Sequence, residues 1–251
     1  MVKRFKIMDK KLNKKAKEDF SMLKSKELRV KAWESLKGKY WMAFAVIFVT
    51  GLIGSIGNAF VSFGQQLGEV LGMVEPAELD STMAIGALVI SGVVIVSAII
   101  GALFSIFVTD ALTVGTCNYF IKNTDSKPSF REIFSGFKVK YGRNIGTLLL
   151  VGIKTVLWTC VFIVLGIIKS FEYAIIPYIL ADDAEISSKD AFKKAKQMMK
   201  GNKWRLFKLD FSFVGWFLLC VLTLGLGTFF LIPYINAAMA EFYVELKNKQ
   251  A

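Results

Sequence analysis

The chain has 251 residues and a formal net charge of +12, and hydrophobic residues make up 54% of it. Its mean hydropathy of +0.50 is too high for an ordinary soluble domain of this length, so we predict an all-α membrane protein. It contains no His, and its three Cys lie far apart in or beside apolar segments. We therefore expect no enzyme, no metal site and no cofactor.

The first 40 residues are strongly basic. They hold fourteen Lys or Arg, and the first apolar run begins only after them, so we do not expect a cleavable signal peptide. The sequence predicts a basic cytoplasmic tail over 1–24 and a single integral membrane domain over 25–251.

Long apolar runs predict about six transmembrane helices. Positions 41–68 and 81–109 carry no charged residue, and each run exceeds the roughly 20 residues that span a hydrocarbon core. The predicted spans are about 40–63, 83–108, two within 145–181 that turn near Gly166, about 204–224 and about 227–246. The last pair is expected to turn at the LGLG of 224–227. Whether 145–181 forms a full or a partly re-entrant hairpin stays open, and Glu172 has no predicted role.

Charge predicts the orientation of the spans. Thirty of the 32 cations fall in four blocks separated by apolar runs, whereas the connection at 65–82 carries Glu69, Glu75, Glu78 and Asp80. The positive-inside rule places the basic blocks and both termini in the cytoplasm, as expected for a multi-pass protein of the cell membrane. Orientation and anionic lipid headgroups account for the basic charge, so we do not expect a nucleic-acid partner.

Short motifs recur at fixed spacing. Ser129 and Ser187 each begin a helix-capping pattern and lie 58 residues apart, as do Asn144 and Asn202, and IPYI occurs twice. LKGKYWMAF at 36–44 also matches MKGNKWRLF at 199–207. We predict three related units, about 25–121, 129–181 and 187–246, each made of an interfacial amphipathic helix, a basic elbow and a transmembrane hairpin.

The interfacial helices have two interpretations. One apolar face is predicted in 129–141, formed by Phe130, Ile133, Phe134, Phe137 and Tyr141. In 188–200, Ala and Met line one side and five Lys occupy the rest. These helices either lie in the headgroup plane with the apolar face down or pack on the cytoplasmic ends of the bundle.

The elbows combine cations with Trp. Trp prefers the headgroup level of a bilayer, and Lys and Arg reach back to water along their own stems. The predicted interfacial elbow residues are Lys37, Gly38, Trp41, Lys200, Gly201, Asn202, Trp204 and Arg205. In the returning spans, Pro177 and Pro233 are predicted to kink the helix, because each removes a backbone hydrogen bond.

Lys154 and Asp210 are charged residues within predicted spans. Lys154 and Asp210 lie at similar predicted depth, so we expect them to form an intramembrane pair. Such a pair either fixes the register of two hairpins or belongs to a transport path.

The same segments carry a family resemblance. YAIIPYILADDAEISSKDAFKKAKQMMKGNKWRLFKLDFSFVGW, with ELRVKAWESLKGKYW and IPYINAAMAEFYVEL, resembles bacterial integral membrane proteins grouped as domain of unknown function 975, from about Lys26 onward. It is more distantly similar to the membrane domain of some glycerophosphodiester phosphodiesterases. VLGIIK at 164–169 departs from the family pattern, which usually has Pro before that glycine. The resemblance implies a multi-pass membrane protein and no particular reaction.

Two functions remain compatible with this pattern. The first is a non-enzymatic membrane component that binds anionic lipid, or a membrane-protein partner, through its basic cytoplasmic helices. The second is a small transporter or exporter component that uses Lys154 and Asp210.

Overall fold

A computed structural model describes residues 24–72, 81–138 and 140–249. These residues contain helices and no strand, which confirms the all-α prediction. The predicted basic tail, apart from Lys24, lies outside the described residues, as do Glu75, Glu78 and Asp80 of the predicted outer connection.

The described ranges contain twelve α-helices. In chain order they are α1 (Ser25–Leu36), α2 (Tyr40–Gly72), α3 (Ser81–Phe104), α4 (Asp110–Asp125), α5 (Ser135–Lys138), α6 (Tyr141–Val161), α7 (Ile163–Tyr173), α8 (Ile176–Asp182), α9 (Ser188–Met198), α10 (Lys203–Phe211), α11 (Val214–Leu222) and α12 (Leu226–Asn248). A π-helix (Ser105–Thr109) joins α3 to α4, and a 3₁₀-helix (Phe130–Phe134) precedes α5.

In the part of the chain that the structure describes, five helical segments are long and apolar enough to cross a membrane. They are Tyr40–Val70, Ala84–Asp125, Tyr141–Val161, Ile163–Asp182 and Leu226–Asn248. This confirms the prediction of a membrane protein with several transmembrane helices.

The predicted span over 204–224 is not one continuous helix. It is divided into α10 and α11, nine residues each, with a turn at Ser212 and Phe213 between them. The Ser212 hydroxyl donates a 2.6 Å hydrogen bond to the Leu209 carbonyl. Such local bonding competes with the backbone ladder. The six-span layout therefore stays a prediction.

The second predicted span continues well beyond its predicted end. Ala84–Asp125 has 42 residues, a length of about 63 Å at the rise of an α-helix, which is roughly twice the thickness of a hydrocarbon core. Its second part, α4, is largely buried in protein, including Tyr119 and Phe120. Only the first part of this helix is thus free to contact lipid.

The molecule has two zones that differ in burial. A packed core is formed by α1, α4, α8, α9 and the second half of α12, with buried side chains such as Leu28, Tyr119, Ile176 and Phe242. The helix pairs α2–α3, α6–α7 and α11–α12 extend from it and expose large apolar side chains along their length. We call these pairs the apolar arms. Surface of this kind is suited to contact with lipid rather than water.

Three elbows connect the packed core to the helices that follow. Each contains a residue with positive φ: Gly38 (72°), Lys140 (41°) and Gly201 (82°). They precede α2, α6 and α10 respectively. The first and third elbows use Gly, which adopts this conformation without a steric cost, whereas the second uses Lys. The duplication itself stays a prediction.

The turn of the middle arm differs from its predicted position. The chain reverses at Phe162, which is extended (φ −154°, ψ 122°) between α6 and α7, and not near Gly166. A Cβ at Gly166 would lie 2.7 Å from Thr159 Cα, so this glycine permits close packing of the two helices beside the turn. The LGLG turn is confirmed, with positive φ at Leu224 and Gly225.

The helices that precede the elbows pack on the bundle. In α9, Ala191, Ala195 and Met198 are buried in protein, so this face is not available to a bilayer. Ser187 Oγ accepts a hydrogen bond from Asp190 N, and Ser129 Oγ accepts one from Arg131 N, which confirms both predicted caps.

The amphipathic face predicted over 129–141 is wrong in detail. The segment is a 3₁₀-helix followed by the short α5, so a single α-helical stripe does not form. Ile133 and Gly136 are buried, whereas Phe134 is 39% exposed.

Replacing Gly201 by Ala is expected to destabilise the protein by about 1–2 kcal/mol, the cost of a left-handed conformation for a residue with a Cβ. No atom lies within 4 Å of the Cβ that this substitution adds, so the effect reports backbone conformation alone. Gly215→Ala is the control, because Gly215 lies in α11 without positive φ and also has open space. Thermal unfolding in detergent should show a loss of stability for Gly201→Ala only. Equal stabilities of the two variants would contradict a left-handed backbone conformation at Gly201.

Candidate functional site

Two elbows carry matching columns of aromatic rings. On α2, ring centroids are 5.8 Å apart for Trp41 and Phe44, and 6.0 Å for Phe44 and Phe48. The corresponding column begins at Trp204 on α10, with centroids 4.8 Å and then 6.0 Å apart along Phe207 and Phe211. All three pairs are separated by 163 residues. The sequence comparison identified the first two pairs and missed Phe48 with Phe211, although the same spacing contains it.

Both tryptophans are solvent-accessible in the protein, and each follows a lysine by four residues in the sequence. A further lysine, Lys208, has its Nζ 5.8 Å from the centroid of the Trp204 ring. Trp41 is 72% exposed and Trp204 is 62% exposed. Lys37 and Lys200 are exposed, and neither forms an ion pair with any described residue. We call Lys37 with Trp41, and Lys200 with Trp204, the elbow sites. Each combines an exposed Lys, without an ion pair in the described ranges, and an exposed Trp four residues later, where the packed core meets an apolar segment.

Two other polar residues of the third elbow are engaged within the protein. Arg205 Nη2 contacts both oxygens of Glu245, at 2.9 and 3.1 Å, and Asn202 Nδ2 donates to the Met198 carbonyl at 2.8 Å. Arg205 and Asn202, predicted as interfacial residues, thus brace the third elbow.

Lys39 has a similar bracing role at the first elbow. Its Nζ donates to the carbonyls of Asn123 and Ser126, at 2.9 and 2.8 Å. Burial lowers the pKa of this ammonium and Lys127 lowers it further, with Asp125 acting in the opposite direction. Lys39 therefore ties α4 to the elbow.

The middle elbow is held by a different set of contacts. Arg143 Nη1 donates to the carbonyls of Asp183, Ala184 and Ile186, at 3.2, 2.6 and 3.1 Å. Lys140 forms an ion pair with Glu185. These contacts fix the connection between α8 and α9, and both cations of this elbow are engaged within the protein.

Glu172, which had no predicted role, is the centre of a charged cluster. It is 4% exposed, and its carboxylate contacts Lys169 Nζ at 3.1 Å and Lys203 Nζ at 2.5 Å. Lys203 is the first residue of α10, so the cluster connects α7 to the third elbow. The spacing of Lys169 and Glu172 indicates a helical pair, but Lys203 is 31 residues away and nothing in the sequence connects the two.

The structure does not bring the predicted Lys154–Asp210 pair together. Lys154 Nζ lies 3.7 Å from the centroid of the Phe192 ring, where a cation–π contact replaces the expected ion pair. Asp210 is exposed near the end of α10, and no ion pair joins the two in the described ranges. The pairing was inferred from depth alone, which does not specify the direction of a side chain.

The two prolines occupy different positions. Pro177 lies in the first turn of α8, after a break at Ala174 and Ile175. Pro is tolerated there because the first turn has unsatisfied N–H positions. Pro233 lies inside the continuous α12. A kink at Pro233 stays a prediction.

Comparison with protein families gives one match. The model described as "Protein of unknown function (DUF975)" matches residues 156–250, from the second half of α6 to the end of α12. This match supports the resemblance over that part of the chain. No curated protein and no solved structure matches the chain.

Proposed function

We propose that this chain is a non-enzymatic, multi-pass protein of the cell membrane that binds anionic lipid headgroups at its elbow sites. The observation that carries the proposal is that, at two separate elbows, an exposed Lys without an ion pair among the described residues is followed four residues later by an exposed Trp. Trp favours the headgroup level, and a nearby Lys contributes about 1 kcal/mol of attraction to an anionic surface.

The proposed orientation follows from charge. The packed core and its basic helices face the cytoplasm, where the inner leaflet supplies anionic lipid, and the apolar arms cross the bilayer as three related hairpins. Both termini are then cytoplasmic. The exposed Lys189, Lys193 and Lys196 of α9 support this orientation, because they face away from the packed core.

A lipid accounts for the elbow sites better than a protein partner does. An acidic protein that docked from water would use the three exposed lysines of α9. It would not require a Trp at the start of an apolar segment. The elbow sites have both features, which is the chemistry of a headgroup next to hydrocarbon.

Neutralising the elbow lysines should weaken binding of an anionic phospholipid. For Lys37→Gln with Lys200→Gln we expect a loss of about 2 kcal/mol, which is roughly 30-fold in affinity. Native mass spectrometry with added phosphatidylglycerol or phosphatidylcholine measures the lipid that each variant retains.

The matched control is Lys193→Gln with Lys196→Gln, which removes the same charge from the exposed face of α9. This control should keep the preference of the unmodified protein for phosphatidylglycerol. Equal losses in the two double variants would show that net charge, and not the elbow sites, sets lipid affinity. An absence of any preference for phosphatidylglycerol would overturn the proposed function.

A further inference from the structure

A groove lies between the first elbow and the last apolar arm. Its volume is about 620 Å³, within the range of about 300–1,000 Å³ that is usual for small-molecule sites. Its walls are formed by α1, the start of α2, α11 and α12. Residues that line it include Trp33, Tyr40, Trp216, Leu219, Phe230 and Tyr234.

The walls of this groove offer almost no polar group to a ligand. The Tyr40 hydroxyl donates to the Phe230 carbonyl at 2.8 Å, and the Tyr234 hydroxyl donates to the Arg29 carbonyl at 3.1 Å. Both phenols are therefore already hydrogen-bonded. A ligand that fills this space must be hydrocarbon, because a polar one would lose its bonds to water without replacement.

Two cations lie on either side of Trp33 in the sequence, and Trp33 lines the groove. Arg29 lies one helical turn before Trp33 in α1, and Lys37 is the residue that ends this helix, four residues after Trp33. Arg29 Nη1 donates to the Ser212 carbonyl at 3.3 Å, and its buried Nε has no hydrogen-bond partner in the described part of the chain. A buried donor without a partner is costly, and a phosphate is well matched to a guanidinium.

We propose that the groove binds one acyl chain of an anionic phospholipid, with the phosphate held by Arg29 and Lys37. Hydrocarbon walls, and two cations on either side of the groove residue Trp33 in the sequence, match the two parts of such a molecule. The groove adjoins α11 and α12, whose outer surfaces are apolar and exposed, so acyl chains can enter it from the bilayer. This inference rests on the proposed function for the preference for anionic lipid, and it adds a bounded site for the chain.

Filling the groove should remove this lipid. Leu219→Trp places a larger side chain in the groove, and we expect at least a tenfold loss in retention of dioleoyl phosphatidylglycerol in native mass spectrometry. Leu218→Trp is the matched control, since Leu218 is the exposed neighbour and does not line the groove. It should bind as the unmodified protein does. Leu219→Ala enlarges the groove and should retain binding, which keeps the test valid if Leu219→Trp does not fold.

The charge of the site is tested separately with Arg29→Gln. We expect this variant to lose part of its preference for phosphatidylglycerol over phosphatidylcholine, because the Lys200 elbow site is unchanged, while an acyl chain still enters the groove. Unchanged lipid binding by Leu219→Trp, together with weaker lipid binding by the Lys37→Gln and Lys200→Gln variant, would overturn the groove as a lipid site. The proposed function would then stand. Equal retention of both lipids by the unmodified protein would overturn both.

Discussion

Replacing Gly115 by Ala is expected to prevent stable formation of the packed core. A Cβ at this position would lie 1.8 Å from the Ile133 carbonyl oxygen, and the opposing Gly136 would place its Cβ 2.0 Å from the Ala111 carbonyl oxygen. Both obstacles are backbone, so no side-chain rotation relieves them. α4 and the segment containing the 3₁₀-helix and α5 must then separate, and we expect a loss of about 3 kcal/mol or more in the free energy of unfolding.

Gly146→Ala is the control for this substitution. Gly146 lies in α6 with ordinary helical backbone, and no atom is within 4 Å of the added Cβ, so its stability should be equal or slightly higher. Unfolding of purified protein, with the yield of folded material after extraction, distinguishes the two. A Gly115→Ala variant with the stability of the unmodified protein would mean that these backbones do not touch.

The second large effect is expected at Glu172. Glu172→Ala leaves Lys169 and Lys203 partly buried, side by side and without their shared carboxylate. Removing one partner of a buried ion pair costs about 3–5 kcal/mol, but both lysines keep some access to solvent. We therefore expect a loss of about 2 kcal/mol.

Glu185→Ala is the matched control for Glu172. Glu185 also pairs with a lysine, Lys140, but its side chain is 80% exposed. Its removal should have little effect on thermal stability. In a double-mutant cycle, Glu172→Ala and Lys203→Ala should be coupled, so that the double variant is less destabilised than the two single losses added. Strict additivity would show that the cluster does not brace the elbow.

The sequence predicts well those features that depend on local pattern. Long uncharged runs identify apolar helices, and the Lys-Gly pairs at Gly38 and Gly201 identify two elbows with positive φ. The LGLG motif likewise identifies the last turn. Each of these signals is contained within a few residues or a single helix.

Tertiary packing accounts for what the sequence does not predict. Glycine is common in turns, so the sequence predicts a turn near Gly166. The chain turns at Phe162 instead, and Gly166 is required where α6 and α7 approach each other. The position of Lys154 within its predicted span indicates an intramembrane ion pair. In the structure, the ammonium group of Lys154 contacts the ring of Phe192 in α9 instead. The partner of each residue is supplied by a different element, and no local pattern specifies it.

The candidate site was only partly predicted from the sequence, because it too depends on tertiary packing. Lys37, Trp41, Lys200 and Trp204 follow from a repeated motif. The motif does not distinguish these from Arg205 and Asn202, whose side chains bond Glu245 and the Met198 carbonyl. Only the packing of α12 and α9 around the elbow separates polar side chains that brace the fold from lysines that are free to meet a lipid.

The most direct test of the account is to identify what surrounds the protein in its own membrane. Extraction into polymer-bounded nanodiscs, followed by quantitative mass spectrometry of lipids and proteins, measures this without detergent. We expect anionic phospholipid to be enriched over the bulk membrane, and the enrichment to fall when Lys37 and Lys200 are neutralised. A lipid shell with the bulk composition, together with a stoichiometric protein partner, would contradict lipid binding and make the chain an accessory subunit.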